Sequence, residues 1–509
     1  MSTRRALAAG LLGLLLLASV AATAAPVRAA EPVARPYSDD IFYLIMTDRF
    51  HNGDRSNDQG IEPNNATGIH GGDLQGVIDK LDYLKNLGVT GIWLTPVVEN
   101  QQGGYHGYWA IDFYKVDPNL GDMATLKKLV DEAHRRGMKV FLDVVVNHTA
   151  PTHPFVTERP DWFHQTGSIT NWESQEQVEN FKLAGLPDLA QENPEVKRYL
   201  IEMSKWWIDQ TGVDGFRLDT VRHVPKWFWA EYSRELHAHK PGFFLMGEAW
   251  NGDLNYLKGY LETGLDSLVD FARLFPMQEV FARGGDPSVL HATVLRQLKE
   301  TPDKVWAPFI DNHDLPRFVT GSAPGGAEKL RLALAYLLTS PGMPILYYGT
   351  EVAMQGGDDP DNRRDMKFDA NPEMFAYTQA LIKLRKENPA FTRGTYTPIG
   401  KNPRVVAFLR EHEGSRFVVA INNAKTEQSL DLTGVAGEGE RVRNLLGEAQ
   451  PAAQGRMLTL APQTAYVLAL GAAAGGGAGG LGPTPWAAVG AGAVLAVVAG
   501  ILLLRRRRL

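Results

Sequence analysis

Leu74-Gln-Gly-Val77-Ile78-Asp-Lys-Leu81-Asp-Tyr-Leu84-Lys-Asn-Leu87-Gly88-Val89-Thr-Gly-Ile-Trp-Leu94 carries two periods in succession. Leu74, Val77, Ile78, Leu81, Leu84 and Leu87 recur at the three-and-four spacing of an amphipathic helix, and Gly88 stands where such a helix stops. Val89 to Leu94 then runs apolar and partly β-branched, the pattern of a buried strand. A helix that hands over directly to a buried strand is one step of a βα repeat. The grammar recurs with Asp122 as N-cap, Leu126, Leu129, Val130 and Ala133 on one face, Gly137 as the stop, and a strand-like run from Lys139 to Val146. Further strand-like runs are Ile41 to Met46, Gly215 to Leu218, Phe243 to Met246, Val305 to Ile310 and Pro344 to Tyr348.

Periodicity does not separate a closed barrel from an open doubly wound sheet. Polar residues nevertheless gather directly after several of these runs, and the active sites of closed parallel barrels sit at the C-terminal ends of the strands. The expected fold is therefore α/β: a (β/α)8 TIM barrel over residues 37–148 and 194–387, with a small inserted domain at 149–193 after the third strand. There the alternation lapses into chain rich in Pro, Thr, Trp and Gln. From 388 to 470 the runs Arg404 to Leu409, Arg416 to Ile421, Arg441 to Leu445, Arg456 to Leu460 and Thr464 to Leu470 predict a C-terminal antiparallel β-sandwich.

With 509 residues the chain has room for a barrel, which takes about 250 residues, and for one or two further domains. Its 52 basic and 58 acidic residues leave a charge of −6, without the basic excess that binding a phosphate backbone needs. There is no cysteine, which excludes disulfides, thiolate metal sites and a cysteine nucleophile. Arg4 and Arg5 followed by an apolar run and small residues read as a signal peptide over 1–30, with an uncleaved anchor as the alternative. At the other end a Gly/Ala-rich linker at 471–485 precedes an uncharged apolar run at 486–504, expected to span a membrane, and a basic tail at 505–509. On that reading the catalytic part is extracytoplasmic, tethered by a single C-terminal helix.

Four segments place ionisable groups where a strand would run out into a barrel mouth: Asp143-Val-Val-Val-Asn147-His148, Gly215-Phe-Arg217-Leu-Asp219, Gly247-Glu248-Ala-Trp250 and Ile310-Asp311-Asn312-His313-Asp314. Any one could be a structural carboxylate capping a loop; four in strand order point to a site. Arg217 lies two positions before Asp219, so on a strand the two side chains face the same way. A guanidinium there would favour ionised Asp219 while neighbouring carboxylates push Glu248 towards its protonated form.

These four segments resemble the signature regions of the α-amylase family of glycoside hydrolases, and the resemblance extends over about residues 40 to 470. It implies Asp219 as nucleophile, Glu248 as general acid and base and Asp314 as the carboxylate that stabilises the transition state. A retaining enzyme of this kind holds nucleophile and proton donor about 5 to 5.5 Å apart. The resemblance further implies that His148 and His313 bind the sugar at the cleavage point, and that His106 and Tyr108, in Tyr105-His106-Gly107-Tyr108-Trp109, flank the same sugar, Tyr108 by stacking. It also implies calcium, in keeping with hard oxygen donors. One site would use Asn147, Glu179, Asp188 and the backbone carbonyl of His223. A second candidate is the loop of Asn52, Asp54, Asn57 and Asp58 with Gly71 and Asp73, which otherwise reads as a solvated polar turn.

Within the family, Leu186-Pro187-Asp188-Leu189 is similar to true α-amylases, favouring hydrolysis of α-1,4 bonds in starch or maltodextrins. Asp359-Pro-Asp361-Asn-Arg363 and the N-terminal loop resemble cyclodextrin glucanotransferases, in which the aspartate and arginine matching Asp359 and Arg363 hold a donor sugar. Transglycosylation, or a neopullulanase-like or maltodextrin-degrading activity, is the alternative. The chain lacks the two further C-terminal domains usual in those transferases, which favours hydrolysis. Arg222, where many members carry Lys, is expected at an acceptor subsite. A non-catalytic amylase-like partner of a membrane protein is the remaining reading, opposed by the presence of all three carboxylates.

Overall fold

The computed structural model describes residues 33–447 and 450–471. Seven short parallel strands form one curled sheet: β1 (Phe42–Ile45), β2 (Gly91–Leu94), β3 (Lys139–Val144), β4 (Gly215–Leu218), β5 (Phe244–Gly247), β6 (Ser267–Leu268) and β7 (Ile345–Tyr347). Their order, β6-β5-β4-β3-β2-β1-β7, is sequential apart from the return of β7 to β1. All seven are buried throughout, as expected of a sheet covered by helices outside and side chains inside.

The gap between β6 and β7 is filled by the run expected as a strand at Val305 to Ile310. It forms only an isolated bridge, Val269 to Ala307, yet its backbone joins both neighbours. Ala307 N donates to Leu268 O at 3.0 Å and Asp270 N to Ala307 O at 3.0 Å, while Met343 N reaches Trp306 O at 2.8 Å and Ile345 N reaches Pro308 O at 2.9 Å. Pro308 has no N–H to give, so the ladder cannot become regular there, but the ring closes and the fold is a TIM barrel.

The helix read from the opening stretch, α1 (Leu74–Leu87), begins at Asp73, whose side chain accepts from Gly76 N, and ends at Gly88 with φ 102°. The helix Met123–Arg135 is capped by Asp122 through Thr125 N. At the N-terminal end of the barrel the rings of Tyr37, Phe42, Phe141 and Phe244 pack together, with Tyr37 and Phe244 stacked at 3.9 Å. Gly91 and Gly215 make room for them: a Cβ would fall 2.6 Å from the Phe42 ring in one case and 2.5 Å from Phe141 in the other.

After β3 the chain leaves the barrel in irregular loops and short helices and is tied back beside the mouth. Thr149 N donates to Pro187 O at 3.1 Å and Leu189 N to Asn147 O at 2.8 Å. Beyond the barrel, a five-stranded and a three-stranded antiparallel sheet enclose a second apolar core that includes Val405, Val418, Leu430, Leu458, Tyr466 and Leu468. This sandwich is fastened to the barrel by buried Arg410, whose Nη1 reaches Thr339 O at 2.6 Å; on the barrel side Arg385 Nη1 reaches Ser340 O at 2.9 Å and Arg273 Nη1 reaches Pro341 O at 2.6 Å. Cations there meet the carbonyl-rich end of the helix Gly326–Thr339.

The expected membrane tether is not borne out. Among the described residues no helix is long and apolar enough to cross a membrane, and the described chain ends in the strand Thr464–Gly471, whose backbone is paired within the sandwich. The runs at 1–30 and 486–504 lie outside the described residues.

Candidate active site

The mouth of the barrel opens into a cleft of about 1050 Å³ lined by Asp219, Glu248 and Asp314 together with His106, Tyr108, His148, His313, Asp359, Arg363 and Arg222. Nearly every residue expected at the catalytic and sugar-binding positions therefore faces one space. Each catalytic candidate follows a strand end: Asp219 after β4, Glu248 after β5, Asp314 after the closing segment.

At the centre is Arg217, 1% exposed. Its Nη1 donates to Asp219 Oδ1 at 2.6 Å and to both oxygens of Asp143 at 3.0 Å, and its Nη2 lies 3.0 Å from Glu248 Oε2. One guanidinium thus serves three buried carboxylates from three neighbouring strand ends. Burial pushes the Glu248 carboxyl up to about 8, with Arg217 opposing and the charges of Asp219 and Asp314 adding to the rise. Asp314 is also raised by burial, against the pull of Arg363.

The backbone between the two central carboxylates is strained. Thr220 sits at φ 49°, ψ 38°, a left-handed conformation that costs a β-branched residue about 1 to 3 kcal/mol. In that conformation its N–H donates to Glu248 Oε2 at 3.1 Å.

Asp143 is held from a second side by Trp93 Nε1 at 3.1 Å and by the Tyr108 hydroxyl at 2.8 Å. Tyr108 also meets His313: its hydroxyl lies 2.9 Å from His313 Nε2 and the rings stack at 5.4 Å with 5° between their planes. His313 is driven well below the ordinary imidazole range by burial and by Arg363 and Arg217, so it faces the cleft as a neutral ring. Its Nε2 lies 3.2 Å from Asp314 Oδ2 and its buried Nδ1 has no partner. His148 is buried too, with Nε2 3.2 Å from Tyr108 O.

At one end of the cleft Arg363 gathers Asp314 Oδ1 at 3.1 Å, Asp359 Oδ1 at 3.2 Å and the Tyr105 hydroxyl at 3.2 Å. Tyr105, whose role the sequence alone does not give, braces this corner, its ring under the Arg49 guanidinium at 4.0 Å. At the other end Arg222 Nη1 donates to Trp250 O at 2.8 Å. Two large exposed aromatics there, Trp172 (51% exposed) and Trp250 (38% exposed), also escaped the sequence reading as cleft-lining residues. Trp250 follows Glu248 by two residues and Trp172 stands in the loop-rich insertion, and exposure is the property that sequence does not give.

The two calcium readings fare differently. Among the described residues no group of three or more His, Asp or Glu side chains is spaced to hold a metal. In the first set Asn147 Oδ1 is buried without a partner beside Asp188, but Asp188 Oδ2 is taken up by His164 Nδ1 at 2.6 Å. Glu179 accepts from Gln175 at 2.7 Å and lines a separate groove, and the His223 ring faces Val178 O at 2.9 Å. In the second loop Asn52 Oδ1 and Asn57 Oδ1 are both buried and unpartnered, and a Cβ on Gly71 would fall 2.7 Å from Asp58 Oδ1. Asp54 and Asp73 instead spend their carboxylates on backbone N–H groups: Ser56 for Asp54, and Gly53, Asp54 and Gly76 for Asp73.

A closed parallel barrel whose mouth carries a shared guanidinium and three convergent carboxylates defines a glycoside hydrolase class, and sequence comparison agrees. The family described as "Alpha amylase, catalytic domain" matches residues 44–371, and "Maltogenic Amylase, C-terminal domain" matches residues 400–467. The chain belongs to the α-amylase family of glycoside hydrolases. It is 39% identical over 425 residues to a beta/alpha-amylase of Paenibacillus polymyxa, covering 78% of this chain and only 34% of that longer protein. It is 33% identical to a cyclomaltodextrinase of Thermoanaerobacter pseudethanolicus over 85% of this chain and 77% of the relative. Among solved structures, an Anoxybacillus α-amylase superposes with a TM-score of 0.83 at 43% identity, covering 86% of this chain and 99% of that one.

Proposed function

We propose that the protein hydrolyses α-1,4 bonds of maltodextrin-sized glucans, linear or cyclic, with retention of configuration. The likeness to a cyclomaltodextrinase and to the C-terminal domain of maltogenic amylases favours this over the starch-directed reading that Leu186-Pro187-Asp188-Leu189 suggested. The observation that carries the mechanism is the single guanidinium of Arg217 touching both Asp219 and Glu248.

Asp219, ion-paired to Arg217, attacks the anomeric carbon as its C–O bond breaks. Glu248, protonated by virtue of its buried setting, gives its proton to the departing glycosidic oxygen. The same carboxylate, now ionised, takes a proton from the water that hydrolyses the glycosyl ester on Asp219. Asp314 supplies negative charge as the sugar ring becomes cationic, and Arg363 holds it in place. Neutral His313 and His148 offer hydrogen bonds to sugar hydroxyls without adding a competing positive charge.

We extend the proposal to calcium at the N-terminal loop, where the unpartnered amide oxygens of Asn52 and Asn57, with Asp58 and Gly71, are the groups that would hold it. The ion would supply rigidity to the loop after β1, whose far end touches the cleft at Thr67. At the other set, the unpartnered Asn147 amide oxygen and Asp188 are the groups that could hold one, at the expense of the His164 contact.

A second reading, transfer to another sugar rather than to water, is favoured by the Arg363, Asp359 and Tyr105 corner, which can hold a donor chain. Incubating the protein with cyclomaltodextrin, maltooligosaccharides and starch, beside a Glu248→Gln variant, separates the readings by chromatography. Short linear products absent in the variant support hydrolysis; elongated or cyclic products support transfer; no turnover of any substrate rejects both.

A further inference from the structure

Beside the Trp172 and Trp250 end of the cleft lies a second, open groove of about 730 Å³ that the mechanism does not use. It is lined by Gln175, Glu179, Asn180, Glu192, Lys226, Trp227 and Tyr256. Trp227 is 46% exposed, an uncommon setting for an indole in the first turn of the helix Lys226–His239.

The groove is joined to the cleft by Arg222. The guanidinium carbon lies 5.9 Å from the Trp172 ring, which lines the cleft, and 5.9 Å from the Tyr256 ring, which lines the groove. Gln175 stiffens the junction: its Oε1 accepts from the Tyr256 hydroxyl at 2.8 Å and its Nε2 donates to Arg222 O at 3.2 Å. From the cleft outward the surface therefore runs Trp172, Arg222, Tyr256, with Trp227 in the same groove, aromatic rings interleaved with a flat cation.

We propose that this groove binds the reducing-end stretch of any α-glucan, maltodextrin or longer, that outruns the cleft and leaves it past Arg222. The proposal rests on the α-glucan reading of the cleft and extends it to chain length. The ligand class follows from the lining. Aromatic faces accept the apolar faces of glucose rings, while the amides of Gln175 and Asn180, the Lys226 ammonium and the Glu179 and Glu192 carboxylates offer donors and acceptors to hydroxyls. The carboxylates oppose an anionic ligand, and the polar rim opposes a purely apolar one. Continuity through Arg222 makes a chain already held in the cleft the favoured occupant over a separate protein partner.

The test compares Trp227→Ala with the parent protein in two assays. In kinetics, the ratio of kcat/KM on starch to kcat/KM on maltotriose should fall about tenfold, the factor that corresponds to 1.4 kcal/mol of lost contact, and the fall should come from KM. In starch-gel affinity electrophoresis, a Glu248→Gln protein should be retarded and Glu248→Gln with Trp227→Ala should migrate markedly faster. Equal losses on both substrates, or unchanged retardation, would overturn the groove. A Glu248→Gln protein that is not retarded while the parent cleaves maltotriose rejects the groove alone; no retardation and no turnover reject the cleft reading with it. Melting curves of the variants check that each is folded.

Discussion

The two ends of the barrel treat buried carboxylates in opposite ways. At the base each acid has partners of its own. Asp40 receives Arg35, Lys139 and the Thr90 hydroxyl, and Asp214 receives His134 Nε2 at 2.8 Å and Val140 N at 2.8 Å. At the mouth Asp143, Asp219 and Glu248 share Arg217, and Asp314 shares Arg363 with Asp359. The base is satisfied and serves stability; at the mouth several buried carboxylates crowd shared guanidinium groups, an arrangement suited to a ligand that develops positive charge.

The comparison predicts different failures at the two ends. Glu248→Gln should lower kcat by about 10²- to 10⁴-fold, the range of a lost general acid and base, while the melting temperature holds or rises. Arg217→Ala strands buried carboxylates and should cost about 3 to 5 kcal/mol of stability as well as activity, read by denaturant titration beside the assay. Asp214→Asn at the base should cost about 1 to 3 kcal/mol and leave kcat/KM within about a factor of two. If it inactivated the enzyme without unfolding it, the division of labour would fail.

The pH dependence follows with a definite sign. An acid whose folded pKa is raised binds its proton more tightly when folded, so its contribution to stability declines as pH rises from the unfolded value, 4.5, to about 8. The parent protein should therefore lose more melting temperature between pH 5 and 8 than Glu248→Gln does. Its kcat/KM should fall on the alkaline side near pH 8. The smallest effect is expected at Thr220, where Gly relieves the left-handed strain but loosens the N–H aimed at Glu248. Stability should rise by less than about 1 kcal/mol and kcat/KM should drop a few-fold.

Much of this was legible in the sequence because barrel strands are short apolar runs and each active-site carboxylate follows one. Ser267–Leu268 escaped because two residues carry no period, and Val305 to Ile310 read as a regular strand because a run of apolar residues does not announce that Pro308 breaks the ladder. In the sandwich, Gln428–Asp431 and Ala452–Gln454 escape because short, exposed edge strands carry little apolar pattern and resemble turns. At the site, Asp219, Glu248, Asp314 and the cleft-lining histidines are placed by motif. The sharing of Arg217 with Asp143 is not, since β3 and β4 become neighbours only in space. The same holds for the contact of His164 Nδ1 with Asp188 Oδ2, which joins residues 24 apart in the chain.

The most direct test of the central claim is to trap the covalent intermediate. A maltosyl fluoride fluorinated on the ring carries its own leaving group, so Glu248→Gln should still be glycosylated, and peptide mass spectrometry should find the label on the fragment containing Asp219. A label on Glu248-region or Asp314-region peptides, or none on a folded protein that binds the reagent, would contradict the roles assigned to the three carboxylates around Arg217.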